Sequence, residues 1–304
     1  MTIFWDILHY YKSSELATTY PELKMDVNKI EEQILSMAQE GHDIQMHLHP
    51  HWLDAKYDEK GWHFDYSRFS LQNLSENDDK DDINSIAGCI SFSKRLMESL
   101  IRNVKPDYRV TAFRAGGYLI HPFSKLKEAL LSENIRMDSS VCPGLKNNNG
   151  IFSYDFENYP FSQSYRFTDD PGRIDENGVF TELPIKTIKI SPPRNIYFTL
   201  LRFFKYRDLE AGRKGNSSGE TTNRLEQSAF KKITRLLTTT KVNMLTTDSC
   251  FREKFEFLFK KADDYAVMIL HPKLLNHHSL ALLDELITAN KVRFLGLPDY
   301  VQLS

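Results

Sequence analysis

The chain has 304 residues, of which 41% are hydrophobic and 26% are charged, and its formal net charge at pH 7 is −2. This balance gives no support for a nucleic-acid-binding protein or for an anionic-membrane footprint, because both depend on clustered positive charge. The length is sufficient for a large core, and α/β folds of this size are commonly one domain. We therefore expect a single domain over residues 1–304.

The three cysteines, Cys89, Cys142 and Cys250, are odd in number and far apart in the sequence. This pattern favours free thiols in a reducing compartment over a disulfide framework. The first residues show no basic stretch followed by a long apolar run, and no segment approaches a membrane span of about 18 apolar residues. We therefore expect a cytoplasmic protein without membrane insertion.

Hydrophobic periodicity predicts strands that alternate with helices along most of the chain. The predicted strands cover 2–8, 43–48, 109–114, 135–140, 179–183, 242–246, 265–270 and 292–295. The predicted helices run from Asp26 to Gly41, over 81–103 and 122–133, from the segment after 225 to about 237, and over 251–262 and 278–289. Residues 142–178 are predicted to form an irregular insertion with short antiparallel strands, and 205–225 a flexible loop. The order indicates an α/β protein with a mainly parallel sheet of about seven strands.

Four of the ten histidines lie within the segment Gly41–Trp52. On a strand, His47 and His49 would share a face about 6–7 Å apart, whereas His47 and His51 would be roughly 13 Å apart. Two imidazoles bind one metal ion only when each nitrogen lies about 2.0–2.1 Å from it. Pro50 lacks an N–H and rarely occupies a central strand. We therefore expect the strand to end near His49, and the chain to turn so that His51 comes back toward His47.

Further polar candidates fall at the C-terminal ends of other predicted strands, namely Arg114, Asp138, Glu182 and His271. In a parallel barrel these strand ends meet at one mouth, where functional sites are built. A metal ion bound by His47 and His51 would activate a water molecule and polarise a carbonyl. His271 could then protonate a leaving amine. Zinc suits imidazole ligands, and nickel, cobalt or iron fit the same donors. Asp138 and Glu182 are candidates for substrate contacts or loop caps.

Taken together, four segments resemble motifs of the polysaccharide deacetylase family (carbohydrate esterase family four), in a divergent branch linked to bacterial surface-polysaccharide gene clusters. They are Gly41–His51, Phe113–Tyr118, Met137–Val141 and Met268–Pro272, which are similar to the second, third, fourth and fifth motifs. The second motif would make His47 and His51 the metal ligands. His49 matches neither ligand, and we assign it to the substrate side of the site.

The other motifs imply roles for single residues. Arg114 would position the catalytic base, and His271 would be the general acid. Leu270 would line the pocket for the acetyl group. Together with Asp138, Glu182 and His49, Leu270 forms the predicted substrate-binding set.

The resemblance implies a distorted (β/α) barrel that removes N-acetyl or O-acetyl groups from a saccharide in bacterial cell-surface polysaccharide metabolism. The family also has a first strand with paired aspartates, which supply the base and a third metal ligand, and no position here matches it. Asp6 follows a segment that resembles the family's second strand and is not the matching position. Either such a strand is encoded upstream of Met1, or the site lacks it.

Two other functions remain open on the sequence. The chain could be a catalytically impaired barrel that binds a saccharide, a reading that the unmatched aspartates favour. Alternatively, it could be a barrel metallohydrolase acting on another non-peptide C–N bond, such as that of a ureide or a cyclic imide. The histidine spacing alone does not distinguish these from deacetylation.

Overall fold

The computed structural model describes residues 1–206, 240–289 and 292–301. The helices, in chain order, are α1 (Ile7–Leu16), α2 (Glu22–Gln39), α3 (Ile86–Ile101), α4 (Ser124–Ser132), α5 (Pro192–Lys205), α6 (Arg252–Phe259), α7 (His277–Thr288) and α8 (Leu297–Val301). The strands are β1 (Thr2–Asp6), β2 (Asp43–Leu48), β3 (Lys56–Asp58), β4 (Gly61–His63), β5 (Ala112–Ala115), β6 (Met137–Asp138), β7 (Lys146–Asn147), β8 (Tyr154–Asp155), β9 (Tyr165–Phe167), β10 (Phe180–Glu182), β11 (Thr187–Ile190) and β12 (Lys241–Met244).

Six of these strands form one sheet in the order β1-β2-β5-β6-β10-β9. The pairings from β1 through to β10 are parallel, and only β9 runs antiparallel to its neighbour. The predicted α/β class with a mainly parallel central sheet is therefore confirmed. The remaining strands form antiparallel pairs, β3 with β4, β7 with β8 and β11 with β12.

Contacts divide the chain into two compact units. The first comprises Met1–Val141, Lys146–Pro184 and the residues from Leu295 onward, and it contains the six-stranded sheet. The second comprises Cys142–Leu145 and the described part of Ile185–Phe294. Its core is built from α5, α6, α7 and the β11–β12 pair, with Ile190, Phe198 and Leu258 among its buried side chains. The single domain expected over 1–304 stays a prediction.

The N-terminal region differs from the prediction in one respect. The strand expected over 2–8 ends at Asp6, and the helix α1 begins at the next residue. Ile7 and Leu8 are completely buried as the first turn of that helix. A short apolar run does not by itself distinguish the end of a buried strand from the start of a buried helix.

The C-terminal third departs further from the predicted strands. The segment 265–270 is not a strand, because only Val267 makes an isolated bridge, to Ile185. The segment 292–295 is also not a strand, and β12 pairs antiparallel instead of joining the parallel sheet. The helices α1, α5 and α8 were not predicted. From residue 207 to 239, the predicted loop and helix lie outside the described residues.

Strand β2 lies between β1 and β5, and its register is fixed by a buried amide. Gln45 is 1% exposed, and its Oε1 accepts hydrogen bonds from the backbone N–H groups of Thr111 and Ala112 at 2.9 and 2.8 Å. Its Nε2 donates to Asp43 at 2.7 Å. These bonds satisfy the polar atoms of a buried side chain and attach β2 to the start of β5. As a result, His47 lies opposite Arg114.

Within the described ranges, no helix is both long and apolar enough to cross a membrane.

Candidate functional site

Polar side chains line the C-terminal edge of the parallel sheet. In the strand register, His47 lies beside Asp6 on one neighbouring strand and beside Arg114 on the other. Asp138 lies at the end of the next strand, β6, and Glu182 lies beside it at the end of β10. The structure therefore places four sequence-predicted candidates and Asp6 at the ends of five adjacent parallel strands, an edge at which α/β proteins commonly build their sites.

The strand that carries the histidines ends just before Pro50, close to the end predicted near His49. β2 ends at Leu48, and Pro50–Asp54 form a 3₁₀ helix. The turn brings the rings of His47 and His49 to 4.5 Å between centroids, and those of His49 and His51 to 5.5 Å. His49 is therefore the middle ring of the three, between the two histidines that the motif assigns to the metal.

The backbone fixes the orientation of His47. Its Nδ1 lies 2.7 Å from the carbonyl oxygen of Arg114, so it donates to that oxygen and leaves Nε2 as the basic nitrogen. Burial, and then the neighbouring His49, lower the pKa of His47 to about 3. The ring is neutral at neutral pH, which is the form that binds a metal ion. A backbone carbonyl on the second nitrogen is also the usual support for a ligating histidine.

His51 is enclosed by aromatic side chains. Its ring stacks on Phe69 at 5.0 Å between centroids and 15° between planes, and lies 5.1 Å from Tyr66. Burial, and then the charge of the neighbouring His49, lower the pKa of His51 to about 4. Its Nδ1 is buried and finds no hydrogen-bond partner in the described chain. An unpaired polar atom in such a setting is costly unless a ligand or water satisfies it.

A carboxylate that the sequence did not assign, Asp6, completes this cluster. Its Oδ2 lies 2.9 Å from Nδ1 of His49. Burial would raise the pKa of Asp6, but the charge and the hydrogen bond of His49 outweigh burial and hold that pKa below its ordinary value. Asp6 is therefore ionised at neutral pH. Its other oxygen, Oδ1, is buried without a hydrogen-bond partner among the described residues.

These donors fit a divalent metal ion in kind. Neutral imidazole nitrogens and an ionised carboxylate oxygen are the ligands that zinc takes, and the unpaired atoms of His51 and Asp6 still lack partners. Over the ranges that the structure describes, however, no group of three or more His, Cys, Asp or Glu side chains is arranged to hold a metal ion. The metal and its ligand set therefore stay predictions.

Arg114 holds the neighbouring strand end. Its Nε and Nη2 donate to the backbone oxygen and the hydroxyl of Ser139 at 2.7 and 2.8 Å. Its guanidinium carbon lies 4.1 Å from the centre of the Phe4 ring, within the range of a cation–π contact. These contacts fix a positive charge beside His47 on the edge of the sheet.

Asp138 and Glu182 form a buried carboxyl pair, 1% and 0% exposed. Asp138 accepts from the Ser140 hydroxyl at 2.7 Å, and Glu182 accepts from the backbone N–H of Val141 at 3.2 Å. Burial raises the pKa of Glu182 well above its ordinary value, and the charge of Asp138 raises it further. Burial also raises the pKa of Asp138. Glu182 therefore keeps its proton to a higher pH than a free carboxyl group does. The observed contacts are all to the chain itself, and the substrate contacts expected of the pair stay predictions.

His271, in the second unit, is oriented by an aspartate. Its Nδ1 lies 2.7 Å from Oδ2 of Asp248, whose carboxylate also accepts from the backbone N–H of His271 at 3.1 Å. The side chain of Asp248 is 7% exposed and that of His271 is 35% exposed. The pairing makes Nδ1 the protonated nitrogen and directs the basic Nε2 outward. Leu270 directly precedes this histidine, and its assignment to the acetyl pocket stays a prediction.

The chain matches no protein-family model, no curated protein and no solved structure. The function proposed below therefore depends on this geometry and on the motif resemblance.

Sequence reasoning missed two acidic residues, each of which contacts a candidate histidine in its own unit. Asp6 was set aside because it does not match the family's motif, although it is the last polar residue of a predicted strand beside the histidine strand. Asp248 comes two residues after a predicted strand that ends at Thr246. Asp138 and Glu182 likewise lie near the ends of their own predicted strands. The strand-end criterion applied to the other candidates would have found both.

Proposed function

We propose that this protein is a metal-dependent hydrolase that removes N-acetyl or O-acetyl groups from a saccharide, in bacterial cell-surface polysaccharide metabolism. The observation that carries the proposal is the neutral, backbone-anchored His47 beside the Asp6–His49 pair on the C-terminal edge of a parallel sheet. The motif resemblance supports the same reaction. We also infer that the sheet closes into a distorted (β/α) barrel.

The metal site would use His47 and His51, with zinc as the preferred ion and nickel, cobalt or iron as alternatives. When bound, the ion would supply an activated water and a polarised acetyl carbonyl. The chain contributes two imidazoles that stay unprotonated, because burial lowers the pKa of both. The ionised Asp6 carboxylate and its unpaired oxygen give the cluster a negative charge that favours a cation.

The remaining steps are proton transfers by named groups. Asp6 is proposed as the base that takes a proton from the attacking water, because it is ionised and held by His49. The acetyl C–N bond then breaks, and the departing nitrogen needs a proton. His271 is proposed as its donor in the imidazolium form, because Asp248 holds Nδ1–H and would stabilise the positive charge while Nε2–H gives up its proton. Arg114 adds a fixed positive charge beside His47.

A direct test is the release of acetate from N-acetylated oligosaccharides by the purified protein with zinc or cobalt. We expect His47→Ala to reduce the rate by about 10²-fold or more, because it removes a ligand and the group that Arg114 anchors. His63→Ala is the matched control, since the side chain of that histidine is 51% exposed and pairs with the similarly exposed Asp58. Equal rates of acetate release by the His47→Ala variant and the unmutated protein would overturn the proposal.

A second candidate is a barrel that binds saccharide without turnover. It is favoured by the finding that no three-ligand metal group exists among the described residues. Saccharide binding without acetate release under any metal would select this candidate. We also propose a cytoplasmic location, because the three cysteines are buried and form no disulfide bond in the described parts of the chain.

A further inference from the structure

A surface pocket of about 360 Å³ lies in the first unit, next to the loop that follows Arg114. Its lining residues include Leu119, His121, Ser153, Tyr154, Asp155 and Tyr159. Binding pockets for small molecules have volumes of about 300–1,000 Å³, so this one suits a single small ring. None of these residues belongs to the histidine cluster.

One wall of the pocket is a fixed aromatic ring. Tyr154 stacks on the fully buried Phe156 at 5.2 Å and 26°, and the ring of Tyr118 meets it edge-on at 5.8 Å. The backbone of Tyr118 has φ 65°, which is an uncommon conformation for a residue with a side chain. These contacts hold the Tyr154 ring in place while leaving it partly exposed.

Other residues of the lining are polar. The hydroxyl of Tyr159 lies 2.8 Å from Nε2 of His121 and donates to Asp170 at 3.2 Å. Burial lowers the pKa of His121 and raises that of Tyr159, so both remain neutral. The carboxylate of Asp155 forms an ion pair with the ammonium group of Lys146. The described lining includes no lysine or arginine, which disfavours a phosphate or carboxylate ligand.

The same short segment connects this pocket with the histidine cluster. Phe152, two residues before Tyr154, packs against Phe69 at 4.6 Å, and Phe69 stacks on His51 at 5.0 Å. Gly117, one residue before Tyr118, would place a Cβ 2.8 Å from the Phe69 ring. The loops that form the pocket are therefore the loops that enclose His51.

An aromatic ring beside hydrogen-bonding groups is the chemistry that binds a sugar ring, with apolar C–H groups against the aromatic ring and hydroxyls against the polar residues. We propose that this pocket is a subsite for a neutral pyranose unit that neighbours the unit deacetylated at the histidine cluster. This inference rests on the proposed function. It makes the substrate an oligosaccharide or polysaccharide, and a single sugar would leave the subsite empty.

The test measures binding separately from turnover. Isothermal titration calorimetry with a tetrasaccharide of N-acetylglucosamine, in the His47→Ala protein, gives a dissociation constant without hydrolysis. We expect Tyr154→Ala to weaken tetrasaccharide binding about tenfold and to leave binding of the N-acetylglucosamine monosaccharide unchanged. Tyr197→Ala is the matched control, since it removes a tyrosine that is 44% exposed on α5 in the other unit.

A second variant avoids any loss of packing. Ser153→Trp fills the pocket from an exposed position, and we expect the same selective loss of tetrasaccharide affinity. Equal tetrasaccharide affinities in the parent, Tyr154→Ala and Ser153→Trp proteins would overturn the subsite. Failure of the proposed function has a different result, in which no acetate is released by the unmutated chain while tetrasaccharide binding still depends on Tyr154.

Discussion

Asp248 holds His271 through two contacts, a 2.7 Å hydrogen bond to the ring nitrogen Nδ1 and a 3.1 Å bond from the backbone N–H. A nearly buried carboxylate that binds both the ring and its backbone leaves the imidazole one tautomer and one orientation. A general acid gains from this arrangement, because the carboxylate at Nδ1 would stabilise the imidazolium form, which donates its second proton from Nε2.

Replacing Asp248 by Asn should therefore impair His271 without removing it. We expect Asp248→Asn to lower kcat by about 10²-fold, with little change in KM, because the wrong tautomer is favoured and the positive charge on the ring loses its partner. The pH dependence of kcat should shift as well, which a purely structural defect would not produce. Asp263→Asn is the control, since Asp263 is 39% exposed and pairs with Lys186. An unchanged pH profile in Asp248→Asn would contradict the assignment.

The buried carboxyl pair should make stability fall as the pH rises. The pKa of Glu182 is raised in the folded chain, so the unfolded chain loses this proton above about pH 4.5 while the folded chain keeps it. Folding then binds a proton, and its free energy becomes less favourable with increasing pH. Glu182→Gln retains a donor toward Asp138 without a titrating group. We expect its melting temperature to decrease less between pH 5 and pH 8 than that of the parent chain.

Glu133→Gln is the contrasting control for this measurement. Burial would raise the pKa of Glu133, but its hydrogen bonds, first with Lys80, hold it below the ordinary value. Its contribution to stability is present above the unfolded pKa and is lost on acidification, so the variant should differ from the parent at neutral pH and converge with it in acid. Melting temperatures that change equally with pH in the parent and Glu182→Gln proteins from pH 5 to 8 would show that folding does not raise the pKa of Glu182.

Gly116 should be intolerant of any side chain. A Cβ there would lie 2.5 Å from the backbone oxygen of Leu48 and 2.6 Å from Cδ2 of His49. The first of these atoms belongs to a strand and has little freedom to move. We expect Gly116→Ala to lower the free energy of unfolding by about 1–3 kcal/mol and to displace His49 from Asp6. Chemical denaturation gives the first quantity, and a variant as stable as the parent would contradict this packing.

Metal binding should stabilise the fold through His47. A ligand that binds only the folded state at about 100 times its dissociation constant adds about 2.7 kcal/mol to the free energy of unfolding. We expect zinc to raise the melting temperature of the parent chain and a chelator to reverse the rise. His47→Ala should abolish the effect, and His63→Ala should preserve it. A zinc-induced rise that survives in His47→Ala would place the metal elsewhere.

The sequence predicted best where one residue pattern had one structural solution. The alternation from Asp43 to Leu48 and the proline that follows specified a strand, its end and its turn, and all three were found. The strand-end placement of Arg114, Asp138 and Glu182 followed from the same logic, since parallel strands point their C-terminal ends the same way.

Prediction failed where apolar content did not specify the type of element. The segment 265–270 is as apolar as a central strand, but the chain uses it as an extended segment with one bridge at Val267. Helix α5 was missed although Pro192 at its start is a common first helical residue. The aromatic surroundings of His51 could not be read from the sequence, because Tyr66 and Phe69 come from one loop and Phe152 from another, far along the chain.

The amide of Gln45 has a consequence for which chemistry the sheet edge can offer. Neighbouring residues of a strand face opposite sides, so a shift of one position between β2 and β5 would put a thioether, Met46, where the imidazole of His47 now stands. Such a shift costs the two backbone bonds that Gln45 accepts from Thr111 and Ala112. The amide of Gln45 thereby selects an imidazole over a thioether at this position of the sheet edge. Imidazole nitrogen suits borderline ions such as zinc, whereas thioether sulfur suits soft ions such as monovalent copper.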